Sequence, residues 1–148
     1  MTKPIVYVID DDPAVRDSLH VLLESNGFVV RSYLSTIMFL ADPLPVDGSC
    51  LIIDFNMPDI DGIELLGRLR RDGVMIPAIL MTGGGISSSL VSTANRSFVA
   101  LLEKPILAQE RPPITLQPMR HCEKESRPRS FAIGWIGINT NRCRPSRA

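Results

Sequence analysis

Asp54 stands directly behind an apolar run. The stretch LIIDFNMPDIDGIELL, residues 51–66, follows Cys50 with Leu-Ile-Ile, then the single carboxylate, then a loop holding Pro58 and Gly62. A charge in such a place costs several kcal/mol unless it is paired or bound to a cation. Other polar residues stand in the same relation to apolar runs. Asp10, Asp11 and Asp12 follow IVYVI, Thr82 follows AILM, and Lys104 comes just after VALLE. If each run is a strand of one parallel sheet, these side chains converge on one edge of it. Three carboxylates side by side cannot all stay ionised unaided. A hard divalent cation with oxygen ligands supplies that aid, and Mg²⁺ suits one or two carboxylates plus phosphate oxygens. A hydroxyl (Thr82) and an ammonium (Lys104) opposite the cation suit an anionic group held between them. The chemistry such a set supports is phosphoryl transfer to an aspartate, with cation and lysine neutralising charge on the transferred oxygens.

Each residue also has an ordinary reading. Asp12, ahead of Pro13, fits a helix N-cap better than a ligand. Asp10 or Asp11 alone is a loop acid. Thr82 before Gly83-Gly84-Gly85 ends a strand, and a lone lysine such as Lys104 is by default a solvated charge. Asp59 and Asp61 beside Pro58 and Gly62 read as turn residues. The functional reading rests on the ordered set of acid pair, single aspartate, threonine and Lys-Pro, each at a strand terminus.

The elements that must position these residues alternate along the first 106 or so residues. Strands are predicted at Ile5–Ile9, Phe28–Tyr33, Cys50–Ile53, Ala78–Met81 and Phe98–Leu102. Helices are predicted after Asp12-Pro13, with Val15, Leu19, Leu22 and Leu23 at helical spacing and Gly27 past the end; after Ser35; over Gly62–Arg71; and over Ser87–Asn95. The third strand is apolar throughout, as for a strand covered on both faces. This order predicts βα units on a parallel sheet, with a site beyond the carboxyl ends of the strands at the topological switch point.

The 148 residues fit one domain with an appendage. No apolar run approaches the roughly 18 residues of a membrane span, and the N-terminus does not read as a signal peptide, because its short apolar run ends in three carboxylates. Cys50, Cys122 and Cys143 form no CxxC pair, so neither a disulfide framework nor a zinc site is expected, and a reducing cytoplasm is. The net charge of zero hides a split: residues 1–110 carry 8 Lys and Arg against 14 Asp and Glu, a net of −6, and residues 111–148 carry 8 against 2, a net of +6. After Pro105 the alternation fails. ILAQERPPITLQPMR has three prolines and no clean helical face, HCEKESRPRS is polar, FAIGWIGINT is briefly apolar, and NRCRPSRA is basic. A helix that should cover the sheet edge is therefore expected to be degraded or missing, and the tail to be poorly ordered.

The segments VIDDDPAVRDSL, LIIDFNMPDIDGIELL, IPAILMTGGG and LLEKPI together resemble the receiver domain of bacterial two-component response regulators, in the LuxR/FixJ-type branch. The resemblance covers about residues 3–107. It implies a doubly wound, flavodoxin-like (βα)5 fold with a five-stranded parallel sheet in a 1–107 domain, followed by a 108–148 tail with no recognisable output domain. It also implies that Asp54 is the phospho-acceptor for a sensor histidine kinase or phosphotransfer protein. Asp10 and Asp11 would organise Mg²⁺, with Asp11, Asp54 and the backbone carbonyl of Asn56 as direct ligands. Thr82 would bind a phosphoryl oxygen and report phosphorylation by moving toward it, Lys104 would pair with the phosphoryl group, and the Lys104–Pro105 peptide would be cis. Output would be a change in partner surface rather than turnover of an external substrate.

The chain departs from that family at Leu101, where an aromatic switch residue is usual, at Ser97-Phe98, at the glycine triplet, and in the fifth helix. The expectation is intact phosphorylation chemistry with altered output. The alternatives are a decayed receiver binding partners independently of phosphorylation, or the remnant of a LuxR-type transcriptional regulator. A haloacid-dehalogenase-type phosphatase fits poorly, because Asn56 stands where a second aspartate is wanted and the acid pair comes first in the chain. The basic tail offers salt-dependent, sequence-independent affinity for nucleic acid, and specific DNA binding is not expected from this chain. No membrane association is expected, and homodimerisation through uncovered sheet surface is left open.

Overall fold

The computed structural model describes residues 3–43, 45, 48–84, 87–94 and 100–104, with short strands at 114–115, 132–133 and 138–139. Five parallel strands form the body of one sheet: β1 (Ile5–Ile9), β2 (Val29–Tyr33), β3 (Cys50–Asp54), β4 (Ala78–Thr82) and β5 (Ala100–Glu103). Their order across the sheet is β2-β1-β3-β4-β5. The chain steps outward from β1 to β2, then returns past β1 to build β3, β4 and β5 on the other side. The switch point lies between β1 and β3, and the carboxyl ends of both carry aspartates.

The helices follow from capping and periodicity. α1 (Pro13–Ser25) starts at Asp12, whose side chain accepts from the Ala14 N–H, and ends before Gly27 at φ 89°. α2 (Thr36–Ala41) is capped by Ser35, which accepts from the Met38 N–H. α3 (Gly62–Arg71) is capped by Asp61, whose carboxylate accepts from the Glu64 N–H at 2.8 Å. Asp61 is thus a helix cap and not the turn residue its neighbours imply, and the Asp-x-x-Glu spacing is the sequence signature of that cap. α4 (Ser88–Ala94) is a shorter version of the helix predicted over 87–95.

Alternate residues of the strands feed two cores, one on each side of the sheet. Tyr7, Ile9, Leu51, Ile53 and Leu80 pack with Phe39 of α2 and Leu65, Leu66 and Leu69 of α3. Val6, Val8, Ile52, Ile79 and Met81 pack with Leu19 and Leu23 of α1. Every residue of β3 and β4 is buried. That is why these two strands read as unbroken apolar runs rather than as alternating ones.

The sheet differs from the expected five strands at one edge. A short strand, β6 (Ile114–Thr115), pairs antiparallel with β5, placing Ile114 opposite Leu101 and Thr115 opposite Ala100. An edge strand offers unpaired backbone groups. The β-branched Ile-Thr pair suits an extended partner, and the prolines preceding it cannot continue a helix. FAIGWIGINT contributes two short strands, β7 (Ala132–Ile133) and β8 (Ile138–Asn139), which pair with each other antiparallel. β5 spans Ala100–Glu103, and the predicted start at Phe98 lies outside the described residues. The expected fifth helix, the Lys104–Pro105 peptide, Ser97, Phe98, Gly85 and the rest of the tail lie outside the described residues.

Candidate functional site

The carboxyl ends of β1, β3, β4 and β5 bring the chemistry-bearing residues together. Asp54 is the last residue of β3 and is 3% exposed, Thr82 ends β4 and is 2% exposed, and Asp10 follows β1 with no exposed surface. Asp11, next in the chain, is exposed. Carboxylate oxygens of Asp10, Asp11 and Asp54 all lie within 4.8 Å of one another. Lys104 comes just after β5 and inserts its ammonium among them, with Nζ 2.6 Å from Asp10 Oδ2 and 3.2 Å from Asp54 Oδ2.

Backbone ladders that run on past the strands hold this arrangement. The Lys104 N–H donates to the Thr82 carbonyl at 2.8 Å, and the Phe55 N–H to the Met81 carbonyl at 2.7 Å. These bonds fix where Asp54 and Lys104 leave the sheet. Asp10 is held by three hydrogen bonds: its N–H donates to the Tyr33 carbonyl at 3.2 Å, its Oδ1 accepts from the Asp12 N–H at 2.9 Å, and its carbonyl accepts from Arg16 Nη1 at 2.7 Å. Asp54 Oδ1 accepts from the Asn56 N–H at 3.3 Å, and Thr82 Oγ1 from the Gly84 N–H at 3.4 Å.

The electrostatics follow from burial. Desolvation and then the charge of Asp10 raise the Asp54 carboxyl above the usual aspartate value, and the opposing pull of Lys104 and of the Asn56 N–H does not cancel them. For Lys104, burial acts to lower the value, but its contact with Asp10 and the charges of Asp10 and Asp54 outweigh burial and hold the ammonium protonated beyond the ordinary lysine range. Asp10 Oδ2 is buried and meets the Lys104 ammonium at 2.6 Å. Three clustered carboxylates with a single ammonium against two of them leave negative charge in excess, and that oxygen-rich set fits a hard divalent cation.

Of the residues singled out in sequence, Asp10, Asp11 and Asp54 cluster, and Lys104 meets Asp10 and Asp54. Asn56 reaches the site through its N–H to Asp54. Thr82 lies one residue beyond Met81, the partner of Asp54 in the β3–β4 register. Asp12 caps α1 instead of facing the cluster. Two contributors were not legible in sequence. Arg16 reaches back from the first turn of α1 to the Asp10 carbonyl. Gly62 packs so closely on the end of β3 that a Cβ there would lie 2.9 Å from the Asp54 carbonyl oxygen, Ile53 Cγ2 and Leu80 Cδ1. Leu101 is fully buried in the core beneath this edge.

Residues 6–111 match the family model described as the response regulator receiver domain. The chain belongs to that family. The receiver is 43% identical over 100 residues to the transcriptional regulatory protein FixJ of Azorhizobium caulinodans, covering 68% of this chain and 47% of that protein. It is 44% identical over 105 residues to FixJ of Bradyrhizobium diazoefficiens, covering 70% and 51%. The crystal structure of full-length FixJ from B. japonicum superposes with a TM-score of 0.64 at 42% identity, over 72% of this chain and 53% of that one. The receiver therefore spans about half the length of the curated relatives it matches, and those relatives are regulators. Among its described residues no helix is long and apolar enough to cross a membrane.

Proposed function

We propose that this receiver accepts a phosphoryl group on Asp54 from a sensor histidine kinase or a phosphotransfer protein, and signals by a change in the surface it offers to partners. The observation that carries this reading is the packing of three carboxylates within 4.8 Å of one another, with the Lys104 ammonium against two of them, Asp10 and Asp54, at the switch point of a doubly wound sheet. An Asp54 oxygen attacks the phosphorus of a phosphohistidine, the P–N bond breaks toward the imidazole, and an acyl phosphate remains on the strand end. Mg²⁺ supplies charge neutralisation at the phosphoryl oxygens when bound. Asp11 and Asp54 would hold it together with the Asn56 carbonyl, and Asp10 would organise the set. Lys104 pairs with the phosphoryl group on the opposite side, and the Thr82 hydroxyl takes one of its oxygens. Burial of Asp54 at a strand end limits access of competing water.

In this reading the phosphorylating unit is residues 1–107, and residues 108–148 are a basic appendage that does not read DNA specifically. The protein works in the cytoplasm and turns over no external substrate. Its association state, including a homodimer, follows from how the edge beyond β5 is covered. The test is intact-mass analysis after incubation with a small phosphodonor and Mg²⁺. Gain of one phosphoryl group by the wild type and none by Asp54→Ala is the expected result. A folded wild type that gains nothing overturns the reading in favour of phosphorylation-independent binding.

A further inference from the structure

Asp11 is the exposed member of the carboxylate cluster, and no hydrogen bond to its side chain is found among the described residues. Its carboxylate lies near Asp10 and Asp54 only because the turn between β1 and α1 carries it there. That turn is pinned on one side by the Asp10 N–H on the Tyr33 carbonyl and inside by the Asp12 N–H on Asp10 Oδ1. The remaining backbone group of Asp10, its carbonyl, is held by the guanidinium of Arg16 at 2.7 Å, a charge-assisted bond made six residues along the chain from the first turn of α1. Arg16 is half-buried. It is the one long charged side chain among the described residues that bonds to the turn's backbone, and the Asp12 cap holds the start of its helix rigid beneath it.

We infer that Arg16 is a positioning residue for the cation site, holding the Asp10 carbonyl so that the Asp11 carboxylate is presented to a divalent cation together with Asp54. This rests on the proposed function of the same site. Two consequences of Arg16 oppose each other there. Its positive charge lies beside a site for a cation, so by charge alone removing it tightens cation binding. Its hydrogen bond fixes the turn, so by geometry removing it loosens binding. Groups that orient metal ligands in this way affect affinity by about 10- to 100-fold when removed. The geometric effect therefore wins, and the sign of the change identifies the role.

The experiment is calorimetric titration of the full chain with Mg²⁺ at neutral pH, for the wild type, Arg16→Met and Arg16→Lys, each shown to be folded by circular dichroism. Arg16→Met is expected to bind Mg²⁺ about tenfold more weakly. Arg16→Lys, which keeps the charge and one donor, is expected to recover part of that loss. Arg16→Met binding as tightly as wild type, or more tightly, overturns the inference, because a residue acting only by its charge or only on stability gives that result. If Arg16→Met does not fold, Arg16→Lys and Arg16→Gln decide it: both retain a donor, so affinity higher in the uncharged variant than in the wild type overturns the positioning role. A wild type that binds no Mg²⁺ overturns the cation site itself, and is distinguishable from failure at Arg16 alone.

Discussion

Replacing Lys104 by methionine tests whether the acidic cluster is stable without its internal cation. The Lys104 ammonium lies 2.6 Å from Asp10 and 3.2 Å from Asp54. With an effective dielectric constant of about 20, these contacts correspond to about 6 and about 5 kcal/mol of attraction. Asp10 and Asp54, within 4.8 Å of each other, repel by at least about 3.5 kcal/mol on the same scale. Much of the attraction offsets the cost of taking three charges out of water, so the net loss on removing one partner is about 3–5 kcal/mol. Lys104→Met is thus expected to lower unfolding free energy by about 3 kcal/mol in urea titrations at pH 7 with chelator present. Adding Asp54→Asn to that variant removes the orphaned repulsion and is expected to restore most of the loss. Mg²⁺ is expected to stabilise Lys104→Met more than the wild type, because the cation takes over the role of the ammonium. A Lys104→Met change below about 0.5 kcal/mol, with no rescue by Asp54→Asn, would refute the claim that these charges are coupled.

Asp54→Asn alone is expected to raise the urea midpoint at neutral pH without Mg²⁺. The folded value of Asp54 lies above its unfolded one, chiefly through burial and then through Asp10. Its ionisation therefore costs stability at neutral pH, and that cost is relieved as pH falls through the raised value toward the ordinary aspartate range; the variant should lack this relief. The Lys104 value is also raised, so its contribution is complete below the ordinary lysine value of about 10.4 and is lost as pH rises beyond it through the folded value. Stability scans into that alkaline window should show a loss that Lys104→Met lacks. Gly62→Ala is expected to cost about 1–3 kcal/mol by forcing α3 away from the end of β3. Gly67→Ala, in the same helix with nothing within 4 Å, is expected to stabilise by about 0.5–1 kcal/mol; urea titration of both separates crowding from helix propensity.

The sheet was legible in the sequence because its central strands are buried on both faces. CLIID and AILMT each end in the polar residue that marks the sheet's edge, and IVYVI is followed directly by one, Asp10. The caps Asp12 and Ser35 were legible for the same local reason. Asp61 was obscured by Pro58 and Gly62, although Glu64 three residues on carries the signal. Arg16 and Gly62 could not be read, because their roles depend on atoms brought close only by tertiary packing: the Asp10 carbonyl for one, the end of β3 for the other. β6 was not anticipated, since a two-residue strand exists only through the edge it pairs with.

The central claim is that Asp54 itself receives the phosphoryl group. Borohydride reduces an aspartyl phosphate to homoserine, so phosphorylated protein can be reduced, digested and mapped by mass spectrometry. The account predicts conversion at position 54 alone, dependent on both phosphodonor and Mg²⁺. Conversion at Asp10, Asp11 or another carboxylate, or none in a protein that has gained a phosphoryl group, would contradict it.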